Sequence, residues 1–442
     1  MTDTVKKLAS RGIATEEMKI LSEKEKIPLD FLMQRVANGK IVIPRGSKRS
    51  NLKVVGVGEG LSTKVNVNVG SSTRHINLDM EVEKAKISQK FGADTIMDLS
   101  IGGDIDGIRR KLMEVTNLPF GTVPIYQAYI ETAEKLGSPI HMSEDTMFSA
   151  IDKHFEDGVE FATVHTGITL ELAQKLKDNP RTTGVVSRGG SVLATWMLHN
   201  GLENPFYKNF DYLVEMAAKH DVTLSLGDAL RPGAIADAFD EFHISELTNN
   251  AMLTKRAWEK GVQVMIEGPG HMPLNKVAAD VKLQKSLSNG APYYILGPLV
   301  TDLGPGYDHI SSAIGAAIAS SEGADLICYL TPAEHLSLPN VEQVKDGLIA
   351  ARLAAHAGDI VKLGEKAYEK DLEMSKAKAN LDWDNICGLS FDPEKASAIH
   401  TQFTSHKDGG CTMCGEMCVF LLLPQLLKQN LDLGMKKLSR IE

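Results

Sequence analysis

Three cysteines stand together near the end of the chain, Cys411-Thr-Met-Cys414-Gly-Glu-Met-Cys418, and their C-x2-C-x3-C spacing restricts the available chemistry. A triad of thiolates is one ligand short of a closed tetrahedron. Structural zinc takes four protein ligands, which would draw in His406 or His400. A [4Fe–4S] cluster held by three cysteines instead leaves one iron open to a small molecule such as S-adenosylmethionine (AdoMet). Gly409-Gly410, just before the run, gives the backbone freedom to wrap either kind of site.

Four other segments carry chemistry. Val185-Val-Ser-Arg-Gly-Gly-Ser191 leads into an apolar stretch that reads as a helix, whose free N–H groups and Arg188 suit a phosphate. An N-capped turn explains the same residues. Gly227-Asp-Ala-Leu-Arg-Pro-Gly233 puts the Asp228 carboxylate and the Arg231 guanidinium on one loop, either for a polar substrate or as a pair holding a turn. Glu267-Gly-Pro-Gly-His271 and Ala333-Glu-His335 present imidazoles on stiff loops, and two histidines plus water can hold Zn²⁺. His309 competes for that role, and thirteen histidines make a structural reading of any one reasonable.

The elements that must position these groups alternate. Nine β-rich runs, Lys64–Val69, Asp94–Leu99, Gly121–Tyr126, Phe161–His165, Gly184–Ser187, Val222–Asp228, Val262–Glu267, Tyr293–Leu296 and Leu326–Leu330, are separated by amphipathic stretches. This rhythm predicts an α/β fold with a parallel sheet. Eight repeats close a (β/α)8 barrel, so one run is supernumerary; an open doubly wound sheet is the alternative. Asn68, Met97, Tyr126, His165, Ser187, Asp228 and Glu267 fall near run ends, where barrels build their active sites. Residues 1–63, with Thr15 capping a helix, read as a cap or interface segment, residues 64–340 as the barrel, and residues 341–442 as a helical tail carrying the cysteines. A basic amphipathic helix is expected at the very end.

Composition narrows the class. The 442 residues are 43% apolar and 24% charged with a formal charge of −9, which argues against nucleic acid as a partner. No apolar run approaches the ~20 residues of a membrane span, and residues 1–30 lack the apolar core of a secretory signal. Five cysteines, three of them bunched, form no disulfide framework and must stay reduced, which points to the cytoplasm. Cys328 reads as a buried strand residue, and Cys387, near Trp383, as a packing residue.

Taken together, the chain resembles the thiamin pyrimidine synthase (phosphomethylpyrimidine synthase) family of radical AdoMet enzymes. The resemblance rests on Lys64-Val-Asn-Val-Asn68-Val-Gly70, Met97-Asp-Leu-Ser100, Gly121-Thr-Val-Pro-Ile-Tyr126, Val186-Ser-Arg-Gly-Gly190, the Gly227–Gly233 and Glu267–His271 segments, Leu296-Gly-Pro298, Gly306-Tyr-Asp-His-Ile310, Thr331-Pro-Ala-Glu-His335 and the cysteine run. It implies a (β/α)8 barrel whose tail delivers the cluster to an active site, often the partner protomer's. It implies that Asn68, Met97, Tyr126, His165, Ser187, Arg188, Gly189, Asp228, Ala229, Leu230, Arg231, Glu267 and Tyr294 hold aminoimidazole ribotide. On the same ground His271 and His335 would hold zinc, and Cys411, Cys414 and Cys418 the [4Fe–4S] cluster. The implied reaction is anaerobic and reductive: an external donor reduces the cluster, AdoMet splits to a 5′-deoxyadenosyl radical, and the substrate rearranges.

Three segments depart from the family pattern: Pro44-Arg-Gly-Ser-Lys-Arg49, Ile101 after Asp98-Leu-Ser100, and Gly304 before Pro305-Gly-Tyr-Asp-His309. All are expected near the substrate. That pattern points to the sister group, the 5-hydroxybenzimidazole synthases, which make the lower-ligand base of cobamides (the vitamin B12 group) from the same substrate. The alternative is the thiamin enzyme, making hydroxymethylpyrimidine phosphate. A zinc-dependent barrel hydrolase is more remote, since no H-x-H start is present. A homodimer, or pairing with a related paralogue, is expected.

Overall fold

A computed structural model describes residues 3–403 and 409–422. It divides into two compact units, Met1–Leu363 and Gly364–Glu442. The first is a closed, all-parallel eight-stranded barrel with helices outside it. Ahead of the barrel, β1 (Ile41–Val42) and β2 (Val57–Gly58) form a short antiparallel pair. The staves are β3 (Lys64–Val69), β4 (Thr95–Asp98), β5 (Phe120–Thr122), β6 (Phe161–Val164), β7 (Thr223–Leu226), β8 (Val264–Gly268), β9 (Tyr293–Leu296) and β10 (Leu326–Cys328). β10 pairs with β3 through Leu326–Lys64, Ile327–Val65 and Cys328–Asn66, closing the ring.

The supernumerary run is Gly184–Ser187. It joins no ladder: Gly184 has a φ of +68°, the Thr182 and Thr183 amides before it donate to the Asp237 carboxylate at 2.9 Å each, and Ser187 then caps a helix. Gly121–Tyr126 is also shorter as a strand than its sequence suggests. Pro124 opens the helix Pro124–Leu136, so Tyr126 stands in a first helical turn.

Residues 3–63 close the N-terminal end of the barrel. Thr4 Oγ1 donates to the Gly261 carbonyl at 2.5 Å, and Val5 N donates to the Asp221 carboxylate. Ile43 and Gln263 exchange two hydrogen bonds of 2.7 and 3.0 Å. Thr15 caps the helix Glu16–Lys24 as its sequence suggests, and Met18, Leu21, Leu32 and Val36 bury a small core there. The divergent loop belongs to the same face: Arg45 pairs with Asp221 just before β7, and Arg49 with Glu160 just before β6. This corrects the expectation that residues 45–49 lie by the substrate, because strand N-termini are opposite the usual active-site face.

The helix Val341–Leu363 belongs to the first unit; its Asp359 carboxylate accepts from Thr63 N and Oγ1 at 2.7 to 3.0 Å. The second unit contains helices Glu365–Ala379, Trp383–Leu389 and Pro393–Thr401 and the cysteine turn. His406 and the expected terminal basic helix lie outside the described residues. Among the described residues, no helix is long and apolar enough to cross a membrane.

Candidate active site

At the C-terminal ends of the strands a cavity with about 480 Å³ of empty space is lined by Asn68, Met97, Tyr126, His165, Asp228, Arg231, Glu267 and Tyr294. These eight come from β3, β4, β8, β9 and the segments after β5, β6 and β7, so closing the barrel is what gathers them. A neighbouring cavity of about 950 Å³ shares Asn68, Tyr126 and Arg231 and adds Arg188, His271, Glu334 and His335. Ser187, Gly189, Ala229 and Leu230 line neither.

The walls are hydrogen-bonded from behind. Asn68 Nδ2 donates to Cys328 Sγ at 3.0 Å, and its Oδ1 accepts from Asn66 at 2.8 Å. Burial pushes the Cys328 thiol up to about 12, so it stays protonated although Tyr294 and Asn68 both bond to it. Glu267 accepts from Thr163 Oγ1 at 2.6 Å and Ser225 Oγ at 2.7 Å. Burial, reinforced by the Asp228 charge, raises Glu267 to about 7 against those hydroxyl bonds and Arg231. Arg231 Nη1 donates to Asp228 Oδ1 at 2.8 Å, and although burial works against its charge, Asp228 holds it firmly cationic. Asp228 Oδ2 is buried with no protein partner.

The loop bearing that pair is pinned by the helix Glu241–Glu259. Glu246 Oε2 accepts from Leu230 N at 2.6 Å, and Asn250 Nδ2 donates to the Gly227 carbonyl at 3.1 Å. Ala229 and Leu230 are therefore buried supports, fully inaccessible to solvent.

Ser187 is the N-cap of the helix Arg188–Asn200, accepting from Gly190 N at 3.3 Å, and its hydroxyl also lies 3.1 Å from His165 Nε2. Burial, with the Arg231 charge, lowers His165 to about 3, so its ring is neutral, and its Nδ1 is buried without a protein partner. Arg188 lies over the Tyr126 ring, 5.0 Å from its centroid. Gly189 and Gly190 have a packing reason: added Cβ atoms would lie 2.2 Å from His165 Cε1 and 2.5 Å from the Ala229 carbonyl.

His271 and His335 face each other with ring centroids 5.5 Å apart. Each has a carboxylate at Nδ1, Asp302 at 2.6 Å and Asp308 at 3.3 Å. This arrangement leaves Nε2 for a ligand and fixes the tautomer, as carboxylates do behind metal-binding imidazoles. His309 instead stacks on Tyr307 and lines neither cavity. In the second unit, the Cys411 carbonyl accepts from the amides of Cys414 and Gly415, curling the run into a turn with Cys418 buried and Cys414 exposed. A Cβ on Gly410 would lie 2.7 Å from Cys418 Cβ. Three thiols on one tight turn suit a cluster with one open iron.

Sequence reasoning missed Thr163, Ser225, Glu246, Asn250 and Asp302. Asp308 and Glu334 stood in the quoted Gly306–Ile310 and Thr331–His335 segments without a role.

The fold and the site define the class: a barrel enzyme with polar groups at its strand exits, whose second unit carries a three-cysteine turn. Residues 4–425 match the family described as Radical SAM ThiC, and the chain belongs to that family. Membership implies a [4Fe–4S] cluster and AdoMet. The chain is 55% identical over 422 residues to a phosphomethylpyrimidine synthase of Ignicoccus hospitalis, covering 95% of this chain and 96% of that one. It is 53% identical to a protein of the same name from Sulfolobus acidocaldarius, covering 95% and 98%. Among solved structures, a dihydropteroate synthase from Stenotrophomonas maltophilia matches at 12% identity and a TM-score of 0.38, covering 69% of this chain and 94% of that one. That likeness carries no argument about activity.

Proposed function

We propose that the chain converts 5-aminoimidazole ribotide to hydroxymethylpyrimidine phosphate, as a phosphomethylpyrimidine synthase of thiamin biosynthesis. The observation that carries this reading is identity above 50% along nearly the whole of relatives bearing that name. The expected 5-hydroxybenzimidazole outcome is supported less well. Its argument leaned on residues 45–49, whose arginines pair at the N-terminal end of the barrel. Ile101 lines a cavity beside Asn68, and Gly304 sits against Asp308, so two of the three departures remain near the site.

On this reading the cap is residues 1–63, the barrel 64–340, and the tail 341–442, whose first helix Val341–Leu363 joins the barrel's unit, the carrier of Cys411, Cys414 and Cys418. The cluster on those thiols, when bound and reduced, supplies the electron that cleaves AdoMet. The chain's own residues do the rest. Amides at the start of the helix Arg188–Asn200, with Arg188, hold the ribotide phosphate. Asp228 and Arg231 orient the ribose, and Asp228 Oδ2 has an acceptor site to offer a hydroxyl. Neutral His165 donates or accepts through Nδ1. Glu267, poised near neutrality, holds or releases a proton as charge changes in the ring. His271 and His335 would hold a zinc ion, their rings oriented by Asp302 and Asp308 at Nδ1, and the ion would supply Lewis-acid chemistry there. The full chain, reconstituted anaerobically with iron, sulfide, AdoMet, a reductant and aminoimidazole ribotide, yields hydroxymethylpyrimidine phosphate by mass spectrometry. 5-Hydroxybenzimidazole as the main product overturns the reading.

A further inference from the structure

Outside the active site, on the helices around the barrel, Asp152, Glu156 and His220 bring one ligand atom each to within 4.8 Å of one another. They are the described residues with such a grouping of three. Asp152 and Glu156 are one turn apart on the helix Glu144–Asp157, so both carboxylates leave the same face. His220 ends the helix Phe210–His220, and its ring packs against Phe155 at 6.1 Å between centroids.

The imidazole distinguishes this cluster from an ordinary solvated acidic face. His220 is 8% exposed, yet its buried Nε2 has no hydrogen-bond partner and points at Asp152 Oδ1, 3.9 Å away. A buried ring nitrogen left unpaired is destabilising. Lys219 Nζ forms long ion pairs with both carboxylates, 3.9 Å from Asp152 and 4.0 Å from Glu156. The burial and the Lys219 charge that lower the His220 pKa also keep the ring neutral, the form that ligates.

We propose that Asp152, Glu156 and His220 form a second divalent-metal site, taking a first-row transition ion of the zinc or manganese class with water completing its shell. One nitrogen and two carboxylate donors suit such an ion better than magnesium, which prefers oxygen alone. Its role is structural. The ion ties the helix Glu144–Asp157 to the helix Phe210–His220, beside Lys48, which donates to the Glu156 carbonyl. Asp221, the next residue, anchors Arg45, so the same clamp steadies the loop that closes the barrel's N-terminal end.

The test is zinc titration of the chelator-treated full chain, read by bound non-iron metal per chain and by Tm. Asp152→Asn/Glu156→Gln, at one half-buried and one exposed position, tests the site with near-isosteric side chains; His220→Gln tests the nitrogen. Each variant is expected to bind one zinc fewer than the parent, to keep its iron, and to lose the zinc-dependent rise in Tm. Lys219→Ala, which removes a competing cation, is expected to bind that zinc several-fold more tightly. Equal stoichiometry and an equal Tm rise in the parent and the carboxylate variant overturn the proposal, whatever His220→Gln does.

Discussion

The His165 ring fills the space that a side chain on Gly189 would need, with Cε1 only 2.2 Å from where that Cβ would lie. The ring is buried and bonded to Ser187, so it has little freedom to yield. Gly189 thus lets a helix start against a strand exit, and the Ser187–His165 contact depends on it. Gly189→Ala is expected to cost roughly 1–3 kcal/mol through overpacking and to raise the KM for aminoimidazole ribotide about tenfold. Thermal unfolding and steady-state kinetics check both; an unchanged KM would show that the ring moves aside freely.

Arg49 offers the opposite test. Its guanidinium, 15% exposed, pairs at 2.8 Å with the fully buried Glu160 and donates to the carbonyls of Met113, Thr116 and Leu118. Removing one partner of a buried pair costs about 3–5 kcal/mol. Arg49→Met should lower stability by that order while leaving KM and the identity of the product unchanged. A switch of product in this variant would return the loop to the active site.

Glu267 gives a pH prediction. Its folded pKa of about 7 lies above the usual 4.5. The folded state therefore binds the proton more tightly, and this stabilisation is fully present below about pH 4.5 and lost as pH rises through 7. The difference amounts to about 3 kcal/mol. Glu267→Gln, which cannot ionise, should remove this component, so wild type loses stability relative to the variant between pH 4.5 and 7.5. Denaturant midpoints across that range check it, and parallel curves would sink the assignment.

The barrel was legible because β-rich runs and amphipathic stretches alternate on different periods. Asn68, Asp228 and Glu267 were legible because polar groups at strand exits break an apolar pattern. Gly184–Ser187 misled because Val185-Val186 looks like a strand, and the Asp237 carboxylate that takes its neighbours' amides lies some fifty residues on. Asp302 and Asp308 escaped notice as imidazole supports for the same reason: the pairing exists only after folding. The side of the barrel taken by Arg45 and Arg49 depends on where residues 3–63 dock, which no local pattern encodes.

The two metal assignments at the site and tail are separable by content. If Cys411, Cys414 and Cys418 hold the cluster, each Cys→Ala change leaves it two thiolates, and iron should be lost from the reconstituted full chain. Cys387→Ala, removing a thiol on the helix Trp383–Leu389, should leave the iron in place. His271→Ala and His335→Ala should instead lower bound zinc without bleaching the iron absorbance. Asp302→Asn keeps the shape but weakens the support behind His271 Nδ1, so zinc affinity should fall roughly 10–100-fold while iron is untouched. Iron and zinc per chain, measured together on each variant, check the set. Full iron in the Cys418 variant, or zinc lost from His309→Ala but kept in His335→Ala, would reject the corresponding ligand.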